Sequence, residues 1–274
     1  MFAILLDLCH FADVRHEAIS NQPQGPTSNS VPHIWRMVLQ QTGPPSTPAV
    51  IIMLTQTHDS GKEKCFQYYP HSPSDSPLRI SPGTVTLLSS HYDEAARTTV
   101  RTLSVSATES GITTTKKVYH LLFSGWPDFG VPEGLDRVAL LALVKLSAKL
   151  NEGGPENPRI VHCSAGVGRS GTFIALDYLL TELEEGAFEA LEKEAPQAKR
   201  RRSGSGQAVK EKGEQGFEDD RIADTVDRLR QQRMMMVQGE SQFHFLYELV
   251  REQWLEKQGR MREADGAKRE IVEG

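Results

Sequence analysis

The sequence predicts an α/β fold, a single domain on a twisted mixed β-sheet flanked by helices, and three observations carry that prediction. A buried-strand pattern, "AVIIMLT" (Ala49–Thr55), follows a helical pattern and the breaker "GPPSTP". A block of strand-like segments fills the middle of the chain. A short apolar run, "RIVH" (Arg159–His162), then opens into a glycine-bearing loop and a helix. That succession sets a loop between a central strand and a helix N-terminus, where inward-pointing backbone N–H groups face an anion. Phosphate is the natural candidate.

The elements follow in order. "VPHIWRMVLQQ" (Val31–Gln41) has helical periodicity, with Trp35 and Met37 on a face that reads as core. "KEKCFQYYP", "TVTLLSSHYD", "TTVRTLSVSAT" and "ITTTKKVYHLLFS" are strand candidates. Leu103, Val105 and Ala107 alternate up to the turn signal "ESG", which predicts an antiparallel portion of sheet. "LDRVALLALVKLSAKL" (Leu135–Leu150) is a strong helix ended by "NEGGPENP". After "RIVH" a second helix is expected from about Ser170 to Glu185. Residues 195–220, "APQAKRRRSGSGQAVKEKGEQGFEDD", are charged and nearly free of large apolar side chains, so they read as a mobile insertion. "RIADTVDRLRQQR" resumes helix, and "SQFHFLYELVREQWLEKQ" places Phe243, Leu246, Leu249, Val250 and Trp254 at core spacing. Residues 259–274 read as a flexible tail.

Composition narrows the function classes. At 274 residues the chain can bury a sizeable core, and its net charge of −5, with both signs mixed, gives no pull toward nucleic acid or anionic membrane. Its three cysteines, Cys9, Cys65 and Cys163, form no CxxC pair, which argues against a disulfide framework or a zinc cage and for a reducing compartment. The opening "MFAILLDLCHFADVRHE" lacks a basic leader and carries Asp7 inside its apolar run, so the expectation is a non-secreted protein.

Chemistry concentrates in "RIVHCSAGVGRSGTF" (Arg159–Phe173). Cys163 follows an apolar strand, precedes a helix N-terminus and shares its loop with Arg169, so partial positive charge converges on its sulfur and favours thiolate. Gly166 and Gly168 let the backbone curl, and Arg169 supplies a planar fork for two phosphate oxygens. A nucleotide-binding P-loop aligned on Gly168 would need glycine in place of Cys163 and lysine in place of Arg169, so phosphoryl transfer onto sulfur is the better reading. A thiolate that attacks a phosphate ester needs an acid for the departing oxygen. "SGWPDFGVPEG" (Ser124–Gly134) offers Asp128, in a loop bounded by Pro127, Gly130 and Pro132 and flanked by Trp126 and Phe129, consistent with a lid.

"HCSAGVGRSGTF" and "WPDFGVPEG" resemble the signature loop and the acid loop of the tyrosine-specific protein phosphatases. The resemblance extends through "QGPTSNSVPHIWRMV", "VIIMLT", "KEKCFQYYP", "TVRTLSV" and "QRMMMVQGESQFHFLYE". It implies a divergent segment at 1–23, a catalytic domain over 24–258 and hydrolysis of protein phosphotyrosine through a cysteinyl-phosphate in intracellular signalling. Carried to matching positions, it makes Cys163 the nucleophile, Asp128 the general acid and then base, and Arg169 the phosphoryl clamp. Ser170 would assist the leaving thiolate, Gln238 and Gln242 would place the hydrolytic water, and His162 would help hold the cysteine. Ser164, Ala165, Gly166, Val167 and Gly168 would line the phosphate seat. It implies no metal or organic cofactor, phosphotyrosine proteins as partners, no nucleic-acid or membrane partner, and a monomer in the cytoplasm. The run "KRRR" (Lys199–Arg202) keeps a nuclear alternative open.

The chain departs from the family pattern in two places. The family's Lys-Asn-Arg-Tyr loop and "YINAS" segment have no counterpart ahead of Gln24, where no tyrosine occurs, so the expectation is an N-terminally truncated chain without that wall of the pocket. Asp59 stands where the family usually has a glutamate that pairs with the signature arginine. Two alternatives stay open: a catalytically impaired phosphotyrosine-binding relative, and a dual-specificity phosphatase with a shallower pocket.

Overall fold

The computed structural model describes residues 4–6, 26–59, 61–80, 83–128, 130–188 and 220–273. Residues 7–23, the bulk of the 195–220 insertion and Phe129 lie outside the described residues. Nine strands are described: β1 (Ile4–Leu6), β2 (Ala49–Met53), β3 (His58–Asp59), β4 (Lys62–Glu63), β5 (Leu78–Ile80), β6 (Gly83–Asp93), β7 (Thr98–Glu109), β8 (Ile112–Phe123) and β9 (Arg159–His162). Five α-helices join them: α1 (Val31–Gln41), α2 (Gly134–Leu150), α3 (Gly168–Glu184), α4 (Arg221–Gln232) and α5 (Glu240–Glu273).

Seven strands form one sheet in the order β1-β9-β2-β8-β7-β6-β5. β2 runs parallel to β8 and β9, and the other pairs are antiparallel, so the sheet is mixed, as predicted. β2 is buried along its whole length, the pattern of a central parallel strand covered on both faces. Its register with β9 pairs Ile51 with Ile160, Ile52 with Val161 and Met53 with His162. On one face, Val50, Ile52, Leu54 and Val161 pack with apolar residues of α2, α3, α4 and α5. On the other, Ile51, Met53, Leu103, Val118 and Ile160 pack beneath Trp35 of α1 and the segment Cys65–Tyr69.

Three sequence expectations are corrected. "KEKCFQYYP" is not a strand, because only Lys62 and Glu63 pair, with His58 and Asp59, in a separate two-stranded ribbon. The remainder is irregular backbone laid over the sheet, with Cys65, Tyr68 and Tyr69 buried and Trp35 Nε1 donating to the Tyr68 carbonyl at 2.9 Å. An apolar run that covers a sheet looks like a buried strand in sequence, since both have the same burial. α3 starts at Gly168, two residues earlier than expected, and α5 continues as helix through the stretch read as a flexible tail, where Glu, Lys, Arg and Ala favour helix. Asp220, the last residue of the expected insertion, caps α4: its Oδ1 accepts from the N–H groups of Ile222 and Ala223 at 3.0 Å each.

Candidate active site

The loop 163–167 is held by the elements on either side of it. β9 is fully buried, and at its start Arg159 donates from Nη2 to Asp177 of α3 at 2.6 Å and from Nη1 to Ser147 of α2 at 2.7 Å. At its far end the N–H of Leu54 donates to the His162 carbonyl at 2.9 Å, carrying the β2 ladder to the edge of the loop. Cys163 follows and is buried. Gly166 has φ +71°, a left-handed conformation, and this turn aims its N–H at Cys163 Sγ, 3.1 Å away.

The segment ahead of α5 closes over the loop. Val237 N–H donates to the Val167 carbonyl at 3.1 Å, and Arg233 Nη2 to the Ala165 carbonyl at 3.2 Å. A Cβ on Gly171 would lie 2.6 Å from Val237 N, so glycine there permits the contact between α3 and this segment. A Cβ on Gly168 would lie 3.1 Å from both amide atoms of Gln242 and 3.5 Å from Gln238 Oε1. Both glutamines therefore stand against the start of α3.

Arg169 is buried and its guanidinium is shared between two groups of the 124–134 loop. Nη1 donates to the Trp126 carbonyl at 3.2 Å, and Nη2 lies 2.5 Å from Asp128 Oδ1. The second oxygen of Asp128 pairs with Lys64 Nζ. Trp126 is buried near Phe245, its Nε1 donates to the Gly130 carbonyl at 3.0 Å, and Gln242 Nε2 reaches the same carbonyl at 3.4 Å. Asp128, Arg169 and Gln242 thus lie in one connected set. The side chain of Asp59, the second departure from the family pattern, lies outside the described residues.

Behind Cys163 the ring of His162 is fully buried, with Nε2 at 2.7 Å from the Tyr68 hydroxyl and Nδ1 at 3.4 Å from the Cys163 carbonyl. Burial pushes its pKa down to about 4; the bond to the Cys163 carbonyl opposes this and the Arg169 charge adds to it, so the ring is neutral near pH 7. The Ser170 hydroxyl is buried and has no hydrogen-bond partner among the described residues. Val167, Gly166 and Gly168 are buried, and Ser164 and Ala165 are partly exposed. Among the described residues no group of three or more His, Cys, Asp or Glu side chains is arranged to hold a metal ion.

Lys64 and Tyr68 are contacts of this site that sequence reasoning passed over. Both belong to "KEKCFQYYP", and reading that segment as a strand concealed that it lies over the sheet beside the loop.

A family model described as protein-tyrosine phosphatase matches residues 16–252. Tyrosine-protein phosphatase 1 of Saccharomyces cerevisiae is 33% identical over 240 residues, which cover 82% of this chain and 66% of that protein. Tyrosine-protein phosphatase non-receptor type 9 of Homo sapiens is 32% identical over 251 residues, covering 86% of this chain and 34% of that protein. The chain therefore spans less than two thirds of the length of either relative. The crystal structure of the catalytic domain of human protein tyrosine phosphatase non-receptor type 18 is similar, with a TM-score of 0.62 and 26% identity over 84% of this chain and 67% of that one. A structure of PTPN18 in complex with HER2 phosphopeptides gives 0.59 and 28%, over 84% and 69%.

Proposed function

This chain belongs to the protein-tyrosine phosphatase family, and we propose that it hydrolyses phosphotyrosine in proteins through a cysteinyl-phosphate intermediate. The observation that carries the reading is convergence on one loop: the Gly166 N–H points at Cys163 Sγ at 3.1 Å, while Arg169 Nη2 lies 2.5 Å from Asp128. The loop with the proposed nucleophile and clamp and the distant segment with the proposed acid are joined by the Arg169–Asp128 pair.

In this reading the substrate phosphate enters the cradle of backbone N–H groups and takes the Arg169 guanidinium in place of Asp128. Cys163 Sγ attacks phosphorus, the bond from phosphorus to the phenolic oxygen breaks, and Asp128 delivers the proton that the departing tyrosine needs. Water then attacks the same phosphorus, gives a proton to Asp128 and displaces the sulfur as thiolate. The position of Gln238 and Gln242 against Gly168 supports their role in holding that water, and the unpartnered Ser170 hydroxyl supports its role as donor to the departing sulfur. The backbone and Arg169 neutralise the phosphoryl charge.

The names of the relatives support phosphotyrosine proteins as substrates and partners. No helix among the described residues is long and apolar enough to cross a membrane. The test is hydrolysis of a phosphotyrosine peptide by the purified chain, with denaturing mass spectrometry to trap a phosphate on Cys163. Turnover that survives Cys163→Ser would remove the assignment. Folded protein that binds the phosphopeptide without Cys163-dependent turnover would leave the binding-only alternative. Equal turnover of phosphoserine peptides would favour the dual-specificity one.

A further inference from the structure

A stripe of polar side chains crosses the sheet face beneath α1. Arg101 on β7 is the register partner of His120 on β8, and His162 lies on β9, with β2 between β8 and β9. All three side chains are buried, while Leu103, Val118 and Ile160 two residues along the same strands belong to the apolar core. Tyr68 spans β2, its hydroxyl 2.9 Å from His120 Nε2 and 2.7 Å from His162 Nε2. The Tyr69 ring lies between the other two neighbours, 4.1 Å from the His120 ring centroid and 4.9 Å from the Arg101 guanidinium.

Proton counting gives this chain a direction. A tyrosine hydroxyl has one proton, so it donates to one histidine and accepts from the other. The Nδ1 of His162 faces the Cys163 carbonyl, which can only accept, so the proton of the neutral ring sits on Nδ1 and its Nε2 accepts from Tyr68. His120 must then donate from Nε2 to the Tyr68 oxygen, which leaves its Nδ1 bare. That atom has no hydrogen-bond partner among the described residues, and neither have Nε and Nη1 of Arg101. A buried cation beside His120 opposes a proton on Nδ1, and the titratable groups facing this ring are Arg101, Tyr68, Tyr69 and His162. Burial first, and then Arg101 and His162, push the His120 pKa down, while the ring's approach to its own backbone pushes it up.

We propose that Arg101 and His120 are positioning residues: the Arg101 charge holds His120 as the neutral Nε2–H tautomer, which aims the Tyr68 hydroxyl at His162 and so fixes the peptide that carries Cys163. Its catalytic part rests on the phosphatase reading above; the tautomers do not. Two-bond 1H–15N correlation spectra of the full chain with labelled histidine report the tautomers directly. The expected result is Nδ1–H at His162 and Nε2–H at His120, with Arg101→Met turning His120 into a mixture. With an aryl phosphate, kcat of Arg101→Met and of His120→Phe is expected to fall about tenfold at unchanged KM. Arg101→Lys and His120→Gln, which keep the charge and the donor, are expected to recover most of it. Thermal unfolding of all four variants separates positioning from damage to the fold. The opposite tautomers in the native chain would overturn the proposal, as would native tautomers and native kcat in folded Arg101→Met. A native chain with the expected tautomers and no turnover would sink the phosphatase reading alone.

Discussion

Asp128 lies 2.5 Å from Nη2 of Arg169, so the proposed acid occupies the proposed phosphate clamp. In the proposed mechanism a bound oxyanion and the Asp128 carboxylate therefore compete for the same guanidinium, and substrate frees the acid. Replacing Asp128 with Ala is expected to lower kcat by roughly 100-fold or more, the usual contribution of a positioned acid. The affinity for an inert oxyanion such as vanadate is expected to rise, because Arg169 loses its internal partner. Calorimetry of vanadate binding and steady-state kinetics check the two halves; loss of vanadate binding would contradict the competition.

Lys64 holds the other oxygen of Asp128 from a segment 64 residues away, and the pair is partly exposed. A pair of this kind contributes about 0–1 kcal/mol to stability. Lys64→Met is therefore expected to leave the urea midpoint almost unchanged while kcat/KM for an aryl phosphate falls a few-fold. A large loss of stability with native kinetics would show that the contact is structural.

Arg159 and Asp177 differ from that pair in being almost sealed from solvent, each 3% exposed. Breaking a buried pair strands the remaining charge and costs about 3–5 kcal/mol. Asp177→Asn keeps a hydrogen bond and is expected to be milder than Asp177→Leu, while Arg159→Met combined with Asp177→Leu recovers part of the loss. Urea unfolding of the native chain, these three variants and Arg159→Met alone measures this, and additive effects of Arg159→Met and Asp177→Leu would refute the coupling.

Acid is expected to destabilise the fold before carboxylates titrate. His162 has a folded pKa pushed down to about 4 by burial, whereas an unfolded histidine ionises near 6.5. Between those values the unfolded chain binds a proton that the folded chain refuses, so stability is constant above that window and falls as pH drops through it. His120 is shifted in the same direction. A loss of roughly 2 kcal/mol for His162 by pH 4.5 follows from the linkage. Urea titrations at pH 7 and pH 4.5 test it; equal stability at both would contradict the burial of a neutral ring.

What could be read from the sequence was whatever is local in it. Cys163, Arg169 and Ser170 lie within eight residues, and the strand, glycine loop and helix that hold them follow from local patterns without tertiary information. Lys64 and Tyr68 reach the site from irregular backbone laid over the sheet, and Arg101 and His120 reach Tyr69 and Tyr68 through sheet order. Tyr68 bonds His162 across 94 residues, and no periodicity signals such a contact. The misread "CFQYYP" has the same origin. Cys65, Tyr68 and Tyr69 are buried by packing on a face rather than by strand pairing, and hydrophobicity alone does not distinguish the two.

The register of β9 against β2 has a consequence for preparing the protein. Ile160 and Val161 offer similar apolar side chains to opposite faces, so hydrophobicity does little to resist a one-residue slip. What opposes it lies at the ends of the strand: Arg159 with its partner Asp177, and His162 with its partner Tyr68. A slipped chain would keep its secondary structure and most of its apolar burial while turning Cys163 away from the phosphate cradle. Refolded material can then pass a circular-dichroism comparison and still contain misregistered molecules, so the correctly registered fraction has to be counted by a probe of the strand's ends, such as the nitrogen resonances of the His162 ring bonded to Tyr68.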